Sequence, residues 1–154
     1  MTRKITARGI VFHKGKILCA RLKAYNNPNR DEPNDFWCLP GGKLDDCETI
    51  LHCAEREMVE ETGINPVLGN LLYIQQFGDG KTEFIEFFFH ITNAHDYMSI
   101  DLSKTTHGQN EIEEIEFIDP KTTLVLPKFL STEDIATQIE GNLPVKIFSD
   151  YDGV

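Results

Sequence analysis

The chain has 154 residues, 40% of them hydrophobic, and its 15 basic and 25 acidic residues give a formal net charge of −10. This size and composition predict one globular domain over residues 1–154 rather than a disordered chain. The negative charge argues against nucleic-acid binding, for which a basic face supplies most of the affinity. No apolar segment approaches the ~18 residues that span a bilayer, and no signal peptide is evident, so we expect no membrane partner and a cytoplasmic location.

The first 42 residues alternate between predicted strands and turns. Residues 6–12 and 17–21 show the pattern of a β-hairpin around a Lys-Gly turn. Residues 25–35 contain two prolines and four asparagines, which predicts a loop. Residues 36–39 form a short apolar run that ends at Pro-Gly-Gly.

A helix is predicted after this turn, with Asp46 as its N-cap and Gly63 at its C-terminal end. Its apolar residues recur at spacings that place them on one face. This predicted core stripe consists of Ile50, Leu51, Ala54 and Met58. Val59 lies on the opposite face by helix angle and is expected to be exposed.

The second half of the chain predicts three further strands and a final helix. Residues 71–77 and 83–91 alternate like long strands joined by a Gly-Asp-Gly turn, and residues 115–118 form a shorter one. Residues 131–140 have the pattern of a helix. Strands on both sides of a central helix, with a second helix at the end, predict an α/β sandwich with a mixed sheet.

Three glutamates on the central helix are candidates for chemistry. Glu57, Glu60 and Glu61 stand at i, i+3 and i+4, so they share one arc of the helix surface. Carboxylates this close repel one another unless a cation lies among them, and oxygen-only ligands suit Mg²⁺ or Mn²⁺. A solvated acidic helix face is the alternative explanation of the same run.

The sequence around these glutamates carries a longer motif. Five residues separate Gly42 from Glu48, and seven more lead to residues 56–64, REMVEETGI. This pattern resembles the Nudix box at every polar and glycine position, with Met58 where the family usually has Ile, Leu or Val. The resemblance implies an α/β/α sandwich with a mixed central sheet and a loop-helix-loop box. It also implies a Mg²⁺-dependent hydrolase, with Mn²⁺ as a second candidate cofactor.

The resemblance further implies roles for individual residues. The carbonyl of Gly41 and the carboxylates of Glu57, Glu60 and Glu61 are the expected metal ligands. Relatives often place an extra acidic ligand where Glu111 stands, although an acidic strand entry is an equal alternative. The general base is expected to be Glu60, with Glu111 as the second candidate.

The other members of the box are expected to act on these carboxylates. Arg56 is assigned to the catalytic set together with Glu57 and Glu60. It is expected to point away from the glutamate arc and to pair with Glu48 or hold a carboxylate in position. A surface ion pair is the alternative for Arg56. The remaining support positions of the box are Gly42, Glu48 and Gly63.

The resemblance implies a pyrophosphohydrolase that cleaves a diphosphate linkage in a nucleoside diphosphate bonded to another moiety, such as an NTP, a dNTP or a nucleotide sugar. Asp79 and Thr82 stand where two known subclasses carry proline and tyrosine, so no subclass is selected. The candidate substrate-binding residues are Arg21, Lys23, Arg30, Lys43 and Trp37. Further candidates to stack on a base are Tyr25, Phe36, Phe87 and Phe89. A Nudix-fold nucleotide sensor without turnover is the alternative function, and a homodimer is left open.

Overall fold

The computed structural model describes residues 1–23 and 35–151. Within these ranges the chain forms strands and helices whose lengths follow the predicted pattern closely in the first half and less closely in the second. The strands are β1 Thr2–Ile10, β2 Phe12–His13, β3 Lys16–Leu22, β4 Trp37–Cys38, β5 Gly41–Lys43, β6 Leu68–Gly78, β7 Thr82–Ile91, β8 Ile112–Ile118, β9 Val125–Leu126 and β10 Lys146–Tyr151. The helices are α1 Ile50–Thr62, α2 Gly108–Glu111 and α3 Ile135–Glu140.

The first sheet is mixed and has the strand order β10-β6-β7-β1-β5. β1 runs parallel to β7, from the pair Thr2 and Thr82 to the pair Ile10 and His90. β6 and β7 form an antiparallel hairpin, and β10 lies parallel to β6 at the edge. The short strand β5, which contains both box glycines, pairs antiparallel with β1. The long strand β1 therefore holds the start of the box in place.

A second mixed sheet is built around β3. β2, β4 and β8 each pair antiparallel with β3, and β9 pairs parallel with β4. The prediction of an α/β sandwich with a mixed sheet is confirmed. The sequence pattern had not separated two sheets, because strand periodicity shows which residues share a face but not which strands pair.

The two faces of the first sheet are covered by different layers. Ala7 and Phe89 pack with Cys53 and Ala54 of α1 on one face. On the other face, Ile10, Tyr73 and Phe88 pack against the second sheet and α3, in a cluster that also contains Ile17, Cys19, Val125 and Ile135. Alternate residues of β1 and β7 thus point to the helix and to the space between the sheets.

The central helix begins three residues later than predicted. The N-cap is Thr49, whose hydroxyl accepts a hydrogen bond from the backbone N–H of His52 at 3.2 Å, so the assignment of Asp46 was wrong. Gly63 ends the helix at φ +74°, as predicted, and donates its N–H to the carbonyl of Val59. Leu51 is 52% exposed and does not belong to the core stripe, whereas Met58 is buried.

The C-terminal third differs most from the prediction. The predicted helix over residues 131–140 is a 3-10 turn, Lys128–Ser131, followed by α3, for which Asp134 is the N-cap. The sequence pattern did not predict β10, which forms a strand by pairing parallel with β6. The predicted loop at residues 25–35 lies almost entirely outside the described residues. No helix in the described ranges is long and apolar enough to cross a membrane.

Candidate active site

The box glycines and the glutamates of α1 meet where β5 passes the helix. The N–H of Gly41 donates a hydrogen bond of 2.9 Å to Glu61, whose side chain is buried. A Cβ at Gly42 would lie 2.5 Å from the Cδ and Oε1 atoms of Glu57. Gly42 is therefore required for close approach, because any side chain there would take the space of the Glu57 carboxylate.

Arg56 contacts the glutamate arc rather than pointing away from it. Its Nη1 donates to Glu57 at 2.8 Å and to Glu60 at 3.2 Å, while its Nε donates to Glu48 at 2.7 Å. The expected pair with Glu48 is present, but the expected orientation away from the arc was wrong. The guanidinium carries N–H donors that point in several directions, so Arg56 can bind Glu48 and the carboxylates of the arc at the same time.

Burial and mutual repulsion raise the pKa values of two of these carboxyls. Burial raises the pKa of Glu61 to about 8, and the nearby charges of Glu57 and Glu111 add to this, while the Gly41 N–H and Arg8 oppose it. Burial also raises the pKa of Glu57, with Glu60 and Glu111 contributing and Arg56 opposing. The charge of Glu111 thus contributes to the raised pKa of both carboxyls.

The supporting carboxylate behaves in the opposite way. Hydrogen bonds from the Arg56 guanidinium lower the pKa of Glu48 to about 2, and the backbone N–H of Asp45 and the ring of His52 also donate to its oxygens. An anionic Glu48 fixes the guanidinium, which in turn fixes Glu57 and Glu60.

The short helix α2 completes this side of the site. His107, which precedes α2, places its Nδ1 2.9 Å from a Glu60 oxygen and donates its backbone N–H to the Glu60 carbonyl. Glu111, at the C-terminal end of α2, donates its N–H to the His107 carbonyl. Lys23 donates to the carbonyl of Gln109 and lies beside the same helix. The start of α2 thus contacts Glu60 of α1, and Lys23 contacts the same short helix.

No group of three or more His, Cys, Asp or Glu side chains surrounds a common point for a metal ion within the described ranges. In this arrangement Arg56 is the cation between Glu57 and Glu60. The donors nevertheless suit a hard divalent ion, since they are carboxylate oxygens, and burial and neighbouring carboxylates raise the pKa values of Glu57 and Glu61. The absent side chain at Gly42 leaves room beside the Glu57 oxygens.

A pocket of about 530 Å³ opens between the two sheets, and Arg8, the strand partner of Gly41, contributes to its lining. Four of the lining residues are aromatic, and Gln75, Ser149, Asp150 and Lys128 add polar groups. The aromatic residues of the lining are Phe36, Phe77, Phe129 and Phe148. Phe129 and Phe148 stack with ring centroids 4.1 Å apart and 4° between their planes. Such a pocket suits a flat, partly polar ligand.

An ion pair between Arg8 and Glu86 also lines this pocket. The Nε of Arg8 donates to Oε2 of Glu86 at 2.5 Å, and the hydroxyl of Thr6 donates to the same oxygen at 3.1 Å. Nη1 of Arg8 donates to the carbonyl of Leu39, two residues before Gly41. Burial lowers the pKa of Arg8, but the charge and the hydrogen bond of Glu86, together with the nearby Cys38 and Glu61, outweigh this, so the pKa is raised and the guanidinium stays charged.

The predicted substrate-binding residues lie at different distances from this pocket. Arg21 pairs with Glu114 at 2.8 Å and lies over the ring of Trp37, while the carbonyl of Lys43 accepts a hydrogen bond from Arg56. The predicted residues Arg21, Trp37 and Lys43 do not line the pocket, and neither does Lys23. Phe36 does line it.

The other predicted aromatic contacts divide in the same way. Phe87 and Phe89 pack on the helix side of the first sheet, in the core rather than in the lining of this pocket. Trp37 packs against the core between the sheets. Arg30 and Tyr25 fall outside the described residues.

Sequence reasoning missed Arg8 and Glu86, and it missed the aromatic walls at Phe77, Phe129 and Phe148. Both charged residues interrupt otherwise apolar strands, in TARGIVF and FIEFFFHI. A charge on the inward face of a strand is rarely buried without a partner. That signal could have suggested each residue, but their pairing depends on the parallel register of β1 and β7.

The chain is similar in sequence to one protein family and in fold to several solved structures. A model of the NUDIX domain matches residues 2–136. A zebrafish (Danio rerio) protein named 8-oxo-dGDP phosphatase NUDT18 is 41% identical over 49 residues, which are 32% of this chain and 15% of that protein. The solution structure of the E. coli ORF135 protein covers 94% of this chain and 96% of its own, with a TM-score of 0.68 at 17% identity. A UDP-X diphosphatase structure covers 96% of this chain and 68% of its own, with a TM-score of 0.66 at 18% identity.

Proposed function

The chain belongs to the Nudix hydrolase family, and we propose that it hydrolyses a diphosphate linkage in a nucleoside diphosphate bonded to a further phosphate or to another moiety. The family and the enzyme class predicted from the box are confirmed by the match over residues 2–136. The substrate, the metal and the roles of individual residues are the proposal developed here.

One observation carries the proposal: two carboxylates of α1 contact the paired glycines of β5, and Arg56 joins a third carboxylate to them. Glu61 accepts the Gly41 N–H, Glu57 lies against Gly42, and Glu60 shares Arg56 with Glu57. An acidic surface face would not hold its glutamates against buried backbone in this way. The cluster therefore supports a binding site for a metal cation that can also contact the phosphates of a substrate.

We assign Mg²⁺, with Mn²⁺ as an alternative, to Glu57, Glu60, Glu61 and the carbonyl of Gly41, with Glu111 as a further ligand. Bound there, such an ion supplies neutralisation of the diphosphate charge and a lower pKa for a reacting water. Glu60, the most exposed of the three helix carboxylates, accepts the proton of the attacking water in this proposal. Arg56 holds Glu57 and Glu60 in place through its contact with Glu48.

The substrate class follows from the pocket beside the box. The pocket has aromatic residues in its lining and includes Arg8, the strand partner of Gly41, so a nucleobase bound there could extend its phosphates towards the box. The two named relatives, a UDP-X diphosphatase and an 8-oxo-dGDP phosphatase, support a nucleoside diphosphate derivative. A small-molecule substrate agrees with the net charge of −10, which disfavours nucleic acid.

Hydrolysis of a panel of nucleoside triphosphates and nucleotide sugars, followed chromatographically as the nucleoside mono- and diphosphates formed with Mg²⁺ and with excess EDTA, tests the proposal. We expect turnover of at least one class of nucleotide with Mg²⁺ and none with EDTA. Full turnover in EDTA would exclude the metal assignment, and no turnover of any panel member would favour the nucleotide sensor.

Two variants of α1 then test the residue roles. Glu60→Gln keeps the side-chain shape but removes the base, so kcat should fall by about 10²- to 10⁴-fold with a smaller change in KM. Glu55→Gln is the matched control, since Glu55 is an exposed glutamate of the same helix. Equal losses of activity in two folded variants would show that the glutamate arc is not the active site.

A further inference from the structure

We propose that the Arg8–Glu86 pair determines base specificity and selects a nucleobase that presents a carbonyl next to a ring N–H, which is the lactam edge of hypoxanthine and guanine. This inference rests on the proposed function, because it takes the ligand of the inter-sheet pocket to be a nucleotide. It adds the class of base, which neither the box nor the fold indicates.

The pair is placed where the edge of a flat ligand would meet it. Arg8 and Glu86 line the same pocket as Phe36, Phe77 and Phe129. Aromatic walls contact the faces of a planar ring, and polar groups then have to satisfy its edge. Arg8 and Glu86 are the two charged residues that strands β1 and β7 contribute to this lining.

The pair offers donors and an acceptor side by side. Arg8 has five N–H groups, of which two are donated to described partners, Glu86 and Leu39. Oε2 of Glu86 accepts from Arg8 and Thr6, and among the described residues none donates to its Oε1. A ligand edge that carries an acceptor next to a donor would therefore complete the pair.

The lactam edge fits this arrangement better than the edge of adenine. A carbonyl oxygen has two lone pairs and can accept more than one guanidinium N–H, whereas the ring nitrogen of adenine has one. The ring N–H of a lactam donates directly to the carboxylate, and charged hydrogen bonds are the stronger ones. Adenine would leave a guanidinium donor unpaired in an apolar pocket, which we expect to weaken binding about tenfold or more.

Calorimetric titration of the wild-type protein with inosine monophosphate and with adenosine monophosphate, both in EDTA, tests the inference. The two ligands have the same sugar, phosphate and ring system and differ only at the 6-position edge. We expect inosine monophosphate to bind about tenfold more tightly or better. In Glu86→Gln this preference should fall to about threefold or less, mainly through weaker binding of inosine monophosphate.

Glu83→Gln is the matched control. Glu83 pairs with Arg3 through Nε and Oε2 at 2.5 Å, across the same two strands, but Arg3 is 64% exposed and neither residue lines the pocket. This variant should keep the wild-type preference. Thermal melting of both variants without ligand shows whether Glu86→Gln is still folded.

Three results would overturn the inference. Equal or tighter binding of adenosine monophosphate excludes the lactam preference, and absence of binding of both ligands at millimolar concentration excludes the pocket. An equal loss of affinity for both ligands in a folded Glu86→Gln variant would show that the Arg8–Glu86 pair acts on the phosphate rather than on the base. Because the ligands are monophosphates without metal, failure of the hydrolase proposal would leave these titrations unchanged.

Discussion

Replacing Gly42 with alanine should lower kcat by about 100-fold while the protein remains folded. The new Cβ would lie 2.5 Å from Cδ and Oε1 of Glu57 and 2.6 Å from Oε2. Ordinary contact between such atoms needs about 3.5 Å, so the carboxylate must move by about 1 Å. The backbone tolerates the change, because the φ angle of Gly42 is outside the left-handed region.

The expected magnitude follows from that displacement. A shift of about 1 Å in a positioned group costs on the order of 10²-fold in rate when the group orients reacting atoms. The stability cost should be small, since the clashing atoms are the end of a flexible side chain. Steady-state kinetics on the substrate found in the panel, together with thermal melting, measures both quantities.

Gly80→Ala provides the control with the opposite pattern. Gly80 has φ +85° in the turn between β6 and β7, and a Cβ there would meet nothing within 4 Å. Alanine at this position should lower stability by about 1–2 kcal/mol through backbone strain and leave kcat unchanged. The reasoning is wrong if folded Gly42→Ala keeps kcat within about twofold, or if Gly80→Ala loses as much activity.

Three further predictions concern stability. Met58→Ala should cost about 2–5 kcal/mol in urea denaturation, because Met58 is 1% exposed, whereas Val59→Ala, at a residue 37% exposed, should cost about 0.5 kcal/mol or less; equal losses would contradict the orientation of α1. The pKa of Glu48 is lowered from 4.5 to about 2, so its contribution is complete above the unfolded pKa and is lost as the pH falls towards 2. The melting temperature of Glu48→Gln should therefore fall less than that of the wild type between about pH 5 and about pH 3. Parallel curves of melting temperature against pH would refute this. Mg²⁺ should raise the melting temperature of the wild type but not of Glu57→Gln, because a ligand that binds only the folded state stabilises it; an equal rise would remove Glu57 from the metal ligands.

Local sequence rules accounted for the box and for most of its helix. Gly63 ends α1, Met58 is buried, and the three glutamates share one side of the helix because helical spacing depends only on neighbours along the chain. The start of the helix was misplaced because Asp46 and Thr49 are both good N-caps, and the choice between them depends on the path of the preceding turn.

The tertiary structure decided what local rules could not. The Arg8–Glu86 pair forms because β1 and β7 are parallel neighbours, although 78 residues separate the two in the chain. β10 exists as a strand because β6 supplies its hydrogen-bond partners, and Arg56 faces the glutamates because Glu48, Glu57 and Glu60 surround it in space. The sequence alone determined the family and singled out the candidate glutamates, since both depend on a local motif. The pocket and the Arg8–Glu86 pair in its lining arise from long-range strand pairing, which no local pattern specifies.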